Sequence, residues 1–326
     1  MDFANIFLGA LNEIISPTTA AYALAALGLA VHFGYTGLLN FGQAGFMAVG
    51  AYGFAVPILS FNAPLPVAVL IALAASAVFA VILGIPTLRL RADYLAIVTI
   101  AAAEIIRYIV TTNSMTAVTG SANGLSAFTG DFYALNPIPP GSYNLGPFGM
   151  NERDVWVRIV AWTLVIIACL LVWMLIRSPW GRVVKGIRED ENAVRALGKN
   201  VYAYKMQALI LGGLLGSIAG IVFTLPRDAV QPANYGTELT FYLYTALLLG
   251  GMSTVLGPVI GAMLFWVLLS LTQGLLYGAI EAGYITFIDT SQAGQVRYIL
   301  VGVALMLLMI FRPQGILGNK KELAFA

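Results

Sequence analysis

The sequence predicts an all-α protein that crosses a membrane roughly nine or ten times, with broken or re-entrant segments among the crossings. Hydrophobic residues make up 60% of its 326 residues and charged residues 10%, whereas soluble domains carry about 45–50% and about 25%. Residues 14–88 contain no Asp, Glu, Lys or Arg, and this stretch is long enough for three spans of about 20 residues each. A water-soluble globule and a disordered scaffold are therefore excluded, and 1–326 is predicted to be one transmembrane domain.

Apolar runs of membrane-crossing length occupy most of the chain. The run at 239–251 is too short to cross a bilayer, so it predicts a half-helix or a re-entrant piece. A short segment near 3–15 has no positively charged region before it, so it is expected to be retained rather than cleaved as a signal peptide. The remaining spans are expected near 18–33, 44–60, 66–86, 94–111, 155–176, 206–225, 255–280 and 297–311.

The distribution of Lys and Arg predicts the orientation in the membrane. When the spans alternate, one side receives twelve Lys and Arg residues and the other side four. The positive-inside rule assigns the richer side, and with it the C-terminus, to the cytoplasm. A net charge of only +2 gives no argument for a nucleic-acid partner.

Two long polar segments connect the predicted spans. Residues 112–152 form the external one, with six Gly, four Pro and few charges. That composition is typical either of a packed lid or docking surface or of an ordinary connecting loop. Residues 177–205 form the cytoplasmic one and hold ten of the 32 charged residues of the chain.

A short capped helix is predicted inside the cytoplasmic segment. Acidic residues at 189–191 precede the run 192–197, and Gly198 follows it, a pattern that bounds a helix at both ends. Two turns are not stable alone, and Val194 and Leu197 are expected on one face that needs a docking surface. The segment either only fixes topology or couples the protein to a cytoplasmic partner, and the capped apolar-faced helix favours coupling.

Glycines and polar side chains inside the apolar runs mark a candidate solute pathway. Residues 34–45 combine four glycines with polar side chains, which suits either a broken helix that binds a polar solute or a tight contact between helices. Residues 250–261 form a second glycine-rich break. His32, the single histidine, is expected to be a structural hydrogen-bonding residue.

Glu104 and Arg107 are ionisable residues within the run at 94–111. Glu104 lies about 16 Å along the helix from residue 93, near the membrane midplane. The two side chains are one turn apart and are expected to pair. Such a pair is either functional or a structural lock between helices.

Motifs for catalysis are absent from the sequence. Without the pattern G-x-x-x-x-G-K-[ST], the chain is not expected to hydrolyse ATP. A single histidine excludes a Ser/His/Asp set, and the single cysteine, Cys169, excludes a disulfide framework and a multi-cysteine metal site. No bound cofactor or metal is expected, and an enzyme is the weakest class because Glu104 and Asp228 have no activating neighbour.

Five stretches carry a resemblance to a known family: 37–52 (GLLNFGQAGFMAVGAY), 88–107, 181–205, 249–262 and 310–318, with a weaker match at 119–125. In this order they resemble the permease subunits of bacterial ABC importers for branched-chain amino acids, the LivM-like branch. The resemblance implies a multi-pass protein of the bacterial inner membrane. It also implies a sister permease in a homo- or heterodimer, two cytoplasmic ATPases that hydrolyse ATP and dock on 181–205, and an extracytoplasmic substrate-binding protein.

The expected mechanism is alternating access driven by ATP in the partner subunits. The family also includes permeases for urea and short amides. An ion-gradient transporter or a membrane subunit without a pathway are alternatives, although an ion pathway usually needs more buried acids than Glu104. The residues expected to line the pathway are Thr36, Gly37, Asn40, Gln43, Gly45, Glu104, Gly250 and Gly251. The residues expected to couple it to the ATPases are Arg188, Glu191, Ala193, Val194, Leu197 and Gly198.

Overall fold

The computed structural model describes residues 3–88, 92–145, 148–284 and 314–318, with isolated positions between 294 and 311. Helices make up most of this part of the chain, which confirms the predicted all-α class. They are α1 Phe3–Ile14, α2 Pro17–Leu29, α3 Gln43–Phe61, α4 Leu65–Thr87, α5 Ala92–Thr111, α6 Thr116–Thr119, α7 Gly130–Ala134, α8 Glu152–Arg177, α9 Pro179–Glu189, α10 Glu191–Ala196, α11 Val201–Thr224, α12 Thr237–Gly250 and α13 Gly257–Glu281.

Polar caps and prolines set where several of these helices begin. The Ser16 hydroxyl accepts a hydrogen bond from the Thr19 amide at 3.1 Å, and Pro17 occupies the first turn of α2. Asn151 and Asn200 cap α8 and α11 in the same way. Such caps satisfy amide groups that have no partner inside the helix.

Six of the described helices are long and apolar enough to cross a membrane, or seven if the bent pair α1 and α2 counts as one span. The sequence predicted nine or ten crossings. Part of the difference is that α12 has 14 residues, about 21 Å of helix against a hydrocarbon core of about 30 Å. The predicted span at 297–311 lies outside the continuously described residues.

Helix α11 forms the centre of the protein, packed against α2, α3 and α4. Glycines at a spacing of four residues allow this close approach. A Cβ added to Gly216 would lie 2.7 Å from Gln43 Nε2, and one added to Gly220 would collide with the main chain of Met47. The close packing of the core therefore depends on the glycines of this helix, which have no side chain.

The segment between α5 and α8 contains short strands and buries a few of its side chains. Strand β1 (Leu125–Ser126) pairs antiparallel with β4 (Ala229–Val230), and β2 (Ser142–Leu145) pairs antiparallel with β3 (Phe148–Asn151). Phe128 is buried against Phe54 of α3 with ring centroids 6.0 Å apart. Most of the described residues of 112–152 are nevertheless exposed, so the choice between a packed lid or docking surface and an ordinary connecting loop stays a prediction.

Asp228 holds this segment to the end of α11. Its carboxylate accepts hydrogen bonds from the Phe128 and Thr129 amides, both at 3.0 Å, and from the Thr129 hydroxyl at 2.7 Å. The Tyr133 hydroxyl donates to the Leu225 carbonyl at 2.9 Å. Burial, and then the Asp228 charge, raises the pKa of Tyr133. Within the described residues, Asp228 therefore acts as a structural hydrogen-bond acceptor that joins two segments.

The short helix predicted in the cytoplasmic segment is present as α10. Asp190 caps it by accepting from the Asn192 and Ala193 amides, and Gly198 follows it with a φ of +74°. Val194 and Leu197 were predicted to lie on one face that docks on a partner, but the structure separates their surroundings. Val194 is buried against Ile187 and Val201, whereas Leu197 is 79% exposed. The reason is that α10 ends at Ala196, so Leu197 lies in the cap beyond the last helical residue.

Candidate solute pathway and coupling surface

A polar face lies on α5 and on the N-terminus of the short helix α12. Glu104 pairs with Arg107 at 2.7 Å, and the two side chains are about one quarter exposed. The second carboxylate oxygen of Glu104 accepts from the Thr237 amide at 3.2 Å and from its hydroxyl at 2.7 Å. A carboxylate is stabilised at this position because the first amides of a helix carry partial positive charge. Glu104 therefore serves α12 as a cap supplied by another helix.

Glu238 extends this polar face. It follows Thr237 directly and is exposed, and within the described chain it forms no ion pair. Glu238 is not among the predicted site residues, although a single acid in front of the short apolar run at 239–251 was the available signal. Ionisable residues at membrane depth are functional candidates by default.

An aromatic cluster lies further along α12. The Phe41 ring stacks on Tyr244 with centroids 4.5 Å apart and lies 5.6 Å from the ring of Phe241. Phe241 is 49% exposed, and the Phe41 amide donates to the Thr99 hydroxyl of α5 at 3.0 Å. The α5–α12 face thus combines charged groups with an exposed aromatic ring.

The polar side chains predicted at 34–45 point into the interior instead. Asn40 and Gln43 are fully buried. Gln43 donates to the carbonyls of Ala25 and Gly212, both at 3.2 Å. The hydroxyl of Thr36 donates to the Val31 carbonyl at 2.8 Å.

His32 belongs to the same buried network. The Asn40 amide nitrogen lies 3.0 Å from His32 Nδ1, and Nε2 lies 3.1 Å from the Leu209 carbonyl. Because an amide nitrogen donates, Nδ1 accepts and Nε2 carries the proton. The structure agrees with a structural role for His32. In the part of the chain that the structure describes, no group of three or more His, Cys, Asp or Glu is arranged to hold a metal.

The predicted pathway glycines occupy tight contacts. A Cβ on Gly45 would lie 2.9 Å from Ala103 Cα of α5. Gly250 ends α12 against Gly257, and Gly251 has a φ of +113° that a side chain rarely adopts. The eight predicted pathway residues are therefore not brought together: Glu104 lies on the outward face, and the polar residues of 34–45 lie inside.

The two predicted groups, pathway and coupling, meet at Arg188. Its guanidinium donates to the Gly34 carbonyl in the π-helical turn Ala30–Tyr35 that follows α2. Its Cγ lies 3.2 Å from where a Cβ on Gly37 would be. Gly34 also packs directly on the Met252 carbonyl in the second glycine-rich break. Arg188 of α9 therefore contacts the first break directly, and Gly34 connects it to the second.

The remaining predicted coupling residues divide into an inner and an outer set. Glu191 forms ion pairs with Arg195 and Lys205, and Val194 is buried. Ala193, Leu197 and Gly198 are exposed on the outer side of α10. We call Ala193, Ala196, Leu197 and Gly198 the α10 surface.

The comparisons with known proteins agree with one another. The family described as branched-chain amino acid transport system / permease component matches residues 13–310. The chain is 31% identical to the high-affinity branched-chain amino acid transport system permease protein LivM of Escherichia coli K12, over 93% of this chain and 69% of that protein. It is 27% identical to the probable LivM permease of Methanocaldococcus jannaschii, over 92% and 91%.

Two further similarities are more distant. The high-affinity branched-chain amino acid transport system permease protein LivH of Escherichia coli K12 is 24% identical to this chain. The match covers 96% of this chain and 97% of that protein. Among solved structures, PsaBC from Streptococcus pneumoniae in complex with Fab aligns with 97% of this chain and 92% of that one. Its identity is 13% and its TM-score 0.40, values that are too low to establish a shared fold.

Proposed function

This chain belongs to the family of permease components of branched-chain amino acid transport systems, and we propose that it is a permease subunit of an ATP-driven importer. The solute is a branched-chain or related amino acid, and the membrane is the inner membrane of a bacterium, with the C-terminus in the cytoplasm. Separate subunits hydrolyse the ATP. The observation that carries the proposal is the charged, outward face of α5 and α12.

A lipid-facing position for that face is energetically unfavourable. Charged side chains at the centre of a membrane helix cost about 2.5–3.5 kcal/mol each on insertion scales. Glu104 and Arg107 are paired on this face, and Glu238 follows the Thr237 that Glu104 binds. A hydrated pathway removes this cost. In a dimer with a sister permease, the same face lines a path between the two subunits, and E. coli has two similar permease proteins, LivM and LivH.

The chemistry of this face fits a zwitterion with an apolar side chain. The Glu104 carboxylate complements an α-ammonium group, and the Arg107 guanidinium complements an α-carboxylate. Phe41 and Phe241 offer apolar surface for an aliphatic side chain. An extracytoplasmic binding protein delivers the solute, so this face only needs to pass it on.

Coupling to the ATPases runs through α10 and α9. The α10 surface offers an exposed leucine between small residues, which suits insertion into a groove on a cytoplasmic ATPase. Movement of this segment reaches the core through Arg188, because its guanidinium is bonded to Gly34. Gly34 in turn contacts Met252, so both glycine-rich breaks move with α9.

The test is Leu197→Asp in the complete transporter reconstituted in liposomes. A buried aspartate weakens the ATPase contact, so we expect ATP-dependent leucine uptake and ATPase co-purification to fall together by at least about tenfold. Leu135→Asp is the matched control, because Leu135 is also exposed, at 65%, in the segment between α5 and α8. Unchanged uptake by Leu197→Asp refutes the coupling assignment.

The same liposomes separate the rival functions. An ion-gradient transporter takes up solute with this chain alone and stops when an ionophore is added. A urea or amide permease takes up urea or a short amide, and leucine does not compete with that uptake. Either result overturns the proposed function.

A further inference from the structure

The segment 314–318, which follows the last predicted span, lies against the second glycine-rich break. The Ile316 amide donates to the Leu249 carbonyl at 3.0 Å. The Leu317 amide donates to the Gly250 carbonyl at the same distance. These two carbonyls belong to the last residues of α12, and carbonyls at the end of a helix have no partner inside it. The segment therefore caps α12 with its own backbone, and we call 314–318 the strap.

Glycines allow the strap to approach the break this closely. Gly315 has a φ of +74°, and a Cβ on it would lie 2.4 Å from the Leu248 carbonyl oxygen and 2.8 Å from Gly251 Cα. A Cβ on Gly251 would in turn lie 2.7 Å from the Gly318 nitrogen. All of these neighbours are main-chain atoms, so they cannot rotate out of the way. The strap and the break therefore meet backbone to backbone.

The side chains of the strap contribute little to this contact. Ile316 and Leu317 are 47% and 41% exposed, so much of their apolar surface stays outside. Backbone hydrogen bonds and glycine contacts therefore hold the strap more than buried side chains do. A segment held in this way can open locally while the core stays folded.

The break is also contacted by the coupling route. Gly34 packs on the Met252 carbonyl, directly beyond the residues that the strap covers, and Arg188 of α9 bonds to Gly34. A displacement of α9 therefore reaches the end of α12 that the strap holds. The other end of α12 begins at Thr237, which Glu104 caps. Both ends of this short helix are thus held by other segments of the chain.

We propose that the strap is a gate on α12. When it is bound, it closes the α9 end of the α5–α12 face, and its release lets α12 move and opens that end to the solute. This inference rests on the proposed function, because it takes the α5–α12 face as the solute path. It also assigns a role to the stretch 310–318, which coupling through α9 and α10 leaves without one. A static cap, by contrast, would hold α12 in the same way in every state of the transporter.

Hydrogen–deuterium exchange of the complete transporter tests the release. The peptide that covers 314–318 is followed without nucleotide and after trapping with ATP and vanadate. We expect the strap amides to exchange about tenfold faster in one of the two states, the effect of breaking one hydrogen bond, while peptides from the centre of α11 exchange equally in both. Equal protection of the strap in both states identifies a static cap and overturns the proposal.

Leak of leucine from loaded liposomes without ATP tests the gate. Gly315→Ala places a methyl group against the Leu248 carbonyl and loosens the strap. We expect the leak to rise about tenfold, again the effect of one hydrogen bond, and ATP-driven accumulation to fall, while ATPase co-purification stays unchanged. Gly283→Ala is the matched control, because Gly283 has the same φ of +74° but no atom within 4 Å of an added Cβ. Loss of uptake without a leak overturns the gate.

A second variant keeps the test decisive if Gly315→Ala does not fold. Ile316→Pro removes the amide hydrogen that the Leu249 carbonyl accepts, and Ile316→Ala, which keeps it, is the control. Only the proline variant should leak. A wild-type transporter that takes up leucine while neither strap variant leaks overturns the gate alone. A wild-type transporter without ATP-driven leucine uptake overturns the proposed function, and the exchange measurement, which needs no solute, still decides whether the strap is released.

Discussion

Helices α5 and α11 are both apolar enough to cross a membrane, yet they occupy opposite positions in the protein. Their mean hydropathies are 1.7 and 2.2, while the buried share of the apolar stretch is 17% in α5 and 78% in α11. The difference comes from which residues interrupt the apolar sequence. Glycines on α11 let other helices approach closely, whereas α5 carries charged residues that need water or a partner.

The stripe of α5 that contains Glu104 faces outward along its length. Ile97, Ala101 and Tyr108 share the helix face of Glu104 at spacings of three and four residues, and all three are exposed. Glu104 is held in place by Thr237 of α12. One helix thus builds the core, and the other carries the face that we propose as the solute pathway.

The largest effect is expected from filling the glycine contact on α11. Gly220→Val places a branched side chain against the Met47 main chain, which cannot move aside. We therefore expect a loss of about 3 kcal/mol in the free energy of unfolding. Size-exclusion chromatography and thermal unfolding in detergent measure it. Ala101→Val on the exposed face of α5 should leave folding unchanged, and equal damage from both variants would contradict the comparison.

The next effect is expected from the acid on α5. Glu104→Gln keeps the hydrogen bonds to Thr237 but removes the charge beside Arg107. We expect leucine uptake to fall about tenfold, because one hydrogen bond to a charged group contributes about 1.5 kcal/mol. Membrane insertion should stay normal. Glu281→Gln at the exposed end of α13 is the control. Wild-type uptake by Glu104→Gln would limit this ion pair to a structural role.

A smaller effect is expected from the aromatic part of the same face. Phe241→Ala removes exposed apolar surface near Phe41, so uptake of leucine should fall relative to that of alanine by about tenfold, within the 1–3 kcal/mol that hydrophobic contacts discriminate. Competition uptake measures the ratio of the two kcat/KM values. Phe61→Ala at the end of α3 should not change it, and an unchanged ratio for Phe241→Ala would remove this ring from the pathway.

Local patterns predicted the elements well. The charge-free stretch 14–88 locates helices because apolar length is a property of the local sequence. The same holds for α10, which Asp190 and Gly198 bound within one residue of the expected limits.

Packing between distant segments was not predictable in this way. No local pattern indicates that Asn40 bonds to His32 or that Glu104 bonds to Thr237, since these contacts depend on which helix faces approach each other. The shared face of Val194 and Leu197 was not reproduced, because a helix face continues only as far as the helix and α10 ends at Ala196. Gly216 and Gly220 carried a visible four-residue spacing that could have identified α11 as the central helix.

The most direct test of the central claim measures water access along α5. In the assembled transporter with Cys169→Ser, single cysteines replace Ala101 and Tyr108 on the Glu104 face, and Ile166 on the exposed side of α8 is the lipid-facing reference. The account predicts that a charged, water-soluble thiol reagent modifies the two α5 positions much faster than position 166 and that leucine slows this reaction. Equal, slow modification at all three positions would show that α5 faces lipid and would contradict the account.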